Sequence, residues 1–232
     1  MPVPTVAQAP VPAPVVADAA KPAAPVAGEA SAADEAAAKA VHNYKRLSPR
    51  LARGAVPEDD AAFAALAAAG IKSIVTVDGA APDVEGAKRH GIRYVHVPIG
   101  YDGIPAPTAL ELAKTFELLA PLGPVFVHCH HGKHRGPAAC GIASVMLDGV
   151  SNDAVIADMK AAGTDPKYAG LYESLRAFRK PTAEELASVK ADLPEKAPAG
   201  SRAAAMAAID HTWDRMKGVR KAQWAVSADH AD

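Results

Sequence analysis

The chain has 232 residues, half of them apolar, with 25 Lys and Arg against 26 Asp and Glu, and two cysteines. That length holds one domain with a sizeable core plus appendages, although alanine supplies much of the apolar share. Balanced charge argues against a nucleic-acid partner, two cysteines make no disulfide framework, and no apolar run approaches the roughly 18 residues of a membrane span.

Residues 1–40 read as an extended, disordered spacer. Sixteen of the first forty residues are alanine and seven prolines fall in the first twenty-five, a composition unsuited to a packed core. The stretch lacks a basic start and its apolar residues are broken by proline, so it does not read as a secretory leader. A cytoplasmic protein is the default expectation; spacers of this kind also follow lipid or membrane anchors, which leaves an exported, tethered form open. From Leu51 the pattern alternates between β and α units. Glu58-Asp59-Asp60 place acids in the first turn of a helix ending at Gly70. Ile71 to Val77 is a β-branched strand, Pro82 to His90 a helix stopped by Gly91, and Arg93 to Pro98 an alternating strand. Thr108 is expected to cap a helix with the stripe Leu110, Leu112, Phe116 and Leu119. Pro124 to His128 reads as a strand, Pro137 to Leu147 as a helix, and Ser151 and Pro166 precede two more, with Val155, Met159, Leu171, Leu175 and Phe178 inward.

Strands separated by helices predict an α/β domain over 41–181, with a mainly parallel central sheet flanked by helices. A helical extension is expected over 182–232. It opens on the capping box Thr182-x-x-Glu185, and its later helix carries the stripe Met206, Ile209, Trp213 and Met216. The preferred reading packs this stripe on the domain; the alternative is a partner-docking or dimerisation helix.

Between the Val125-Phe126-Val127 strand and the next helix lies His128-Cys129-His130-His131-Gly132-Lys133-His134-Arg135. Strand, tight loop and helix start form the geometry that holds phosphate on backbone N–H groups. A thiol in that positive field ionises readily, which makes Cys129 a candidate nucleophile. Arg135, six positions on, offers a two-donor fork that matches two phosphoryl oxygens and that lysine cannot reproduce. Gly132 lets the backbone turn its N–H inward. His130, His131, Lys133 and His134 leave the loop without an acid, suited to an anionic substrate. With Cys129 the three histidines also make a His/Cys cluster, so a zinc site is the rival reading. Their spacing matches no usual zinc pattern, and a loop curled around an anion throws these side chains outward and apart. No metal or other cofactor is therefore expected. Cys140 lies in an apolar run and reads as a small buried residue, with a redox partner as the alternative.

The His-Cys-x5-Arg motif with its internal glycine resembles the cysteine-dependent protein tyrosine phosphatase superfamily. Gly132-Lys133-His134-Arg135 is most similar to the loop of the plant-and-fungi atypical dual-specificity phosphatases. Arg46-Leu47-Ser48-Pro49, Arg53-Gly54, Pro57 and Gly70 to Val75 are similar to that group's upstream segment, so the likeness runs from about Arg46 to Phe178. The resemblance implies a phosphomonoesterase in which Cys129 takes the phosphoryl group and Arg135 clamps it. His128 would orient the loop and help hold the thiolate, and residues 130–134 with Gly136 would bind the substrate's phosphate. It also implies an aspartic acid that protonates the leaving oxygen. Asp102, 27 positions before Cys129, is the first candidate, with a plain Asp-Gly turn as the competing reading; Asp78 and Asp83 come next. One departure matters: the family has Ser or Thr after the arginine, and here Gly136 removes the hydroxyl that assists breakdown of the phosphocysteine. Phosphotyrosine protein is the implied substrate, with inositol phosphates or pyrophosphates as the competing class. A non-catalytic module that binds phosphorylated partners is the reading from another class. Sulfur transfer is disfavoured, because it does not call for the cysteine–arginine pair.

Overall fold

The computed structural model describes residues 31–198 and scattered positions between 205 and 220. Five four-residue strands, β1 (Lys45–Ser48), β2 (Leu51–Gly54), β3 (Ser73–Thr76), β4 (Arg93–His96) and β5 (Val125–His128), form one sheet in the order β1-β2-β5-β3-β4. Only β1 and β2 run antiparallel; β2, β5, β3 and β4 are parallel. The side-chain period of two splits the sheet cleanly. Ala52, Phe126, Ile74 and Tyr94 share one face, packed with Phe63, Leu66 and Val84 of the helices α2 (Asp60–Ala68) and α3 (Val84–Arg89). Leu51, Val125, Val127, Val75 and Val95 face the other way. There they meet α4 (Ala106–Leu119), α5 (Arg135–Asp148), α6 (Asn152–Ala161) and α7 (Ala169–Ala177). Each fully buried Val, Ile or Phe contributes about 1.5–3 kcal/mol, so this two-sided burial holds the central strands rigid beneath the loop they feed.

The expected α/β architecture is the one observed, and most helix starts follow from their caps. Asp59, Asp83 and Ser151 accept from the N–H three residues on, and Thr182 and Glu185 complete the capping box of α8 (Ala183–Ser188). Three details differ. Thr108 caps nothing: α4 starts at Ala106 after Pro105, with Pro107 in its first turn, where the missing N–H costs no helical bond. The composition-based spacer gives way after Ser31, which caps α1 (Ala32–Ala40). Asp34 of α1 bonds Tyr44 and Arg46, and buried Ala37 packs beneath, so tertiary contacts hold an alanine-rich segment that composition left extended. The stripe near the C-terminus does not pack on the domain: Ile209, Trp213 and Met216 are 66%, 59% and 51% exposed. Met206 and residues 1–30 lie outside the described residues. No helix among the described residues is long and apolar enough to cross a membrane.

Candidate active site

Parallel pairing brings the carboxyl ends of β2, β5, β3 and β4 to one edge of the sheet, where open α/β sheets bind ligands. The loop after β5 lies there, and α5 begins at its last residue, Arg135. Its carbonyls are taken from outside. His130 O accepts from Val56 N at 3.0 Å, His131 O from Asn43 Nδ2 at 2.7 Å, and Lys133 O from Thr164 Oγ1 at 2.6 Å. In a planar trans peptide the next N–H points the opposite way, so the amides of His131, Gly132 and His134 converge on the loop's interior. They join the positive end of α5 there.

Gly132 makes this curl sterically permissible. Its φ is +68°, and a Cβ there would collide with Gly54 C and O and with Ala55 N. Cys129 sits at the start of the loop, 3% exposed. A Cβ on Gly136 would stand 3.3 Å from Cys129 Sγ, the position from which a serine or threonine hydroxyl would reach the sulfur; this chain carries none.

Arg135 is 1% exposed. Its guanidinium lies 4.3 Å from the centre of the Tyr101 ring, one Nη donates to Asp78 Oδ1 at 3.2 Å, and buried Nε has no partner among the described residues. Burial disfavours its charge, and Asp78, Tyr101 and Cys129 more than offset this, so its pKa stands above the ordinary value. For Asp78 burial again opposes ionisation, yet Arg135 and the N–H groups of Ala80 and Gly79 hold the carboxyl below the usual range. Tyr101 and Tyr168 approach to 4.8 Å between ring centres, and His134 and Tyr168 to 4.7 Å, forming an aromatic wall beside the arginine.

His128, the last residue of β5, is buried beneath the loop. Its Nδ1 lies 3.3 Å from Cys129 O and its Nε2 2.5 Å from Tyr94 Oη. A carbonyl only accepts, so Nδ1 carries the proton and Nε2 accepts from the tyrosine. Burial pushes the imidazole pKa down to about 4.

Asp102 lies on the loop after β4, exposed, with its carboxylate turned back against Gly100. Gly103 follows at φ +135°, packed on Gly170, so the backbone beside the aspartate relies on a glycine. Tyr101, next to it, carries this loop onto Arg135. Asp83 is spent as the α3 cap, accepting from Gly86 N. Lys133 and His131 stand exposed on the rim, whereas His134 is half-buried against Tyr168 and its pKa is lowered, chiefly by burial. The expectation that the loop histidines splay apart fails for one pair: the His130 and His131 rings meet edge-on at 4.4 Å. Among the described residues no three His, Cys, Asp or Glu side chains gather as a metal site. Cys140 is fully buried in α5, and burial drives its thiol pKa up. Sequence reasoning did not find Tyr94, Tyr101, Thr164 or Tyr168. Of these, Tyr101 carried a usable signal, since it stands just past a predicted strand whose carboxyl end faces the loop.

The α/β sheet with its strand, loop and helix is a fold shared with solved phosphatase structures. Solved structures that share it include P. aeruginosa TpbA, at 21% identity over 60% of this chain and 86% of that one, with a TM-score of 0.53. The core catalytic domain of the PP-IP phosphatase SIW14 from S. cerevisiae matches at 20% identity over 64% and 92% of the two chains, with a TM-score of 0.54. A DUF442 protein from Shewanella putrefaciens CN-32 matches at 17% identity over 60% and 92%, with a TM-score of 0.50. No protein-family profile and no curated protein sequence matches the chain.

Proposed function

We propose that the protein is a cysteine-dependent phosphatase that hydrolyses phosphomonoesters through a phosphocysteine. The observation that carries this reading is the buried Cys129 in a loop whose carbonyls are held from outside and whose arginine opens α5. In the proposed sequence, Cys129 Sγ forms a bond to phosphorus as the ester P–O bond breaks. Arg135 and the loop amides take the charge that develops on the phosphoryl oxygens. Asp102 gives its proton to the leaving oxygen; water then attacks phosphorus, passing a proton back to Asp102, as the S–P bond breaks to release phosphate and the thiolate.

The first substrate class is phosphotyrosyl protein, because Tyr101, Tyr168 and His134 offer flat apolar faces beside the phosphate loop. Inositol phosphates or pyrophosphates are the second, favoured by the exposed Lys133 and His131 on the rim and by the resemblance of Gly132-Lys133-His134-Arg135 to the plant-and-fungi subgroup's loop. The SIW14 likeness agrees with that class. The test is phosphate release from phosphotyrosyl peptides, phosphoseryl peptides and inositol phosphates by the parent, Cys129→Ser and Asp102→Asn. Release by the parent that is lost in Cys129→Ser supports the reading. Equal release by Cys129→Ser refutes it, and an unchanged pH profile in Asp102→Asn removes that aspartate from the mechanism.

A further inference from the structure

Asp78 is the one carboxylate in contact with Arg135 among the described residues, and it is itself locked. Its backbone N–H meets Thr76 Oγ1 at 3.3 Å, its carbonyl accepts from His96 Nε2 at 2.8 Å, and Oδ1 accepts from Gly79 N at 2.6 Å and Ala80 N at 3.3 Å. A planar guanidinium on a long side chain needs two constraints to fix it. A ring stacked on its face sets the plane, and a partner at its edge sets the rotation within that plane. Tyr101, with its ring centre 4.3 Å from the guanidinium carbon and a side-chain hydrogen bond to it, supplies the first, and Asp78 the second at 3.2 Å. What is left over is Nε, buried and without a partner among the described residues. An N–H in that state costs free energy until an acceptor reaches it.

We propose that Asp78 is a positioning residue for catalysis: by holding one Nη of Arg135 it presents the Nε–H edge to the phosphoryl oxygens in the loop. This deepens the phosphatase reading and rests on it. The role differs from proton donation, which the contacts at Asp78 oppose: its Oδ1 accepts from Arg135 and two backbone N–H groups, all of which favour the ionised form. A clamp on the phosphoryl group acts on every ester alike, whereas a proton donor matters most when the leaving oxygen is a strong base. Leaving-group dependence therefore separates the two roles.

The experiment compares the full-length parent with Asp78→Ala and Asp78→Asn on p-nitrophenyl phosphate, phenyl phosphate and an alkyl phosphate, with vanadate and phosphate affinity measured by calorimetry. A loosened arginine should lower kcat about 30- to 100-fold in Asp78→Ala, on the scale of a misplaced catalytic group. The fold-loss should be equal for all three esters, and vanadate affinity should fall more than phosphate affinity. Asp78→Asn keeps an oxygen facing the Nη and should recover about half of the loss on a logarithmic scale. Should Asp78→Ala not fold, Asp78→Asn carries the comparison alone: a loss of about threefold or more, equal across esters, is the expected result on the same reasoning. Losses that grow from p-nitrophenyl to alkyl phosphate, or parent-like rates in both variants, overturn the positioning role. A parent that neither turns over these esters nor binds vanadate overturns the phosphatase reading itself, a distinct outcome.

Discussion

Replacing Gly132 by alanine tests whether the loop's curl is imposed by sterics. Two costs add. A non-glycine residue at φ +68° pays about 1–2 kcal/mol for the left-handed conformation. The new methyl also runs into Gly54 and Ala55 backbone, which cannot swing aside as a side chain would. Gly54 is paired in the sheet with His128, and Ala55 N donates to His42 O at 2.8 Å. Overpacking of this kind costs about 1–3 kcal/mol, for a total of about 2–5 kcal/mol. Gly149→Ala is the internal control, since Gly149 has φ +64° and nothing within 4 Å of a built Cβ. It should show the conformational cost alone, about 1–2 kcal/mol, with activity unchanged. For Gly132→Ala, urea unfolding should report a larger loss than for the control. The kcat/KM for an aryl phosphate should fall about 100-fold, because amides displaced by some 1 Å no longer meet the oxygens. If the two variants lose the same stability and both keep parental kcat/KM, the close approach of the loop to β2 has no functional weight.

Three further outcomes are expected. His128 binds its proton with a pKa of about 4 in the folded protein against 6.5 when exposed, so the unfolded chain holds more protons between these values. Stability is then fully present above pH 6.5 and declines as pH falls to 4, by about 3 kcal/mol from this residue; buried His96 adds in the same direction. Urea midpoints measured from pH 7 to 4.5 should show this slope, and His128→Gln should flatten it. Arg53, buried in β2, is held by Asp158 through contacts of 2.7 and 3.0 Å. Asp158→Ala strands that charge and should cost about 3–5 kcal/mol, while an Arg53→Met, Asp158→Leu double variant should regain most of it. Finally, with Gly136 beside the sulfur, breakdown of the phosphocysteine should limit turnover, seen as a burst of alcohol equal to the enzyme in stopped-flow. Gly136→Ser should shrink the burst and raise the steady rate; a parent trace without a burst refutes the assignment.

Most of the architecture was legible because it is local chemistry. Hydroxyls at Ser151 and Thr182 start their helices as expected, and Asp59, read as a first-turn acid, caps its helix one residue earlier. The β-branched runs around Ile74 and Val127 become central parallel strands. The hairpin of β1 and β2 was not legible: Lys45, Arg46 and Ser48 lack an apolar alternation, and β1 is an edge strand that pairing, not propensity, defines. Nor was α1, whose alanines are held by Asp34 contacts to Tyr44 and Arg46.

The order of residues around Cys129 was enough to mark a strand–loop–helix that suits an anion, with its thiol, arginine and glycine, because all three lie within one turn of backbone. Only the tertiary structure decided what surrounds the arginine. Asp78 and Tyr101 come from the ends of two other strands, and Tyr168 from the loop before α7. Linear spacing carries no record of those meetings; they arise because four parallel strands end at one edge of the sheet, which brings distant segments within hydrogen-bonding distance.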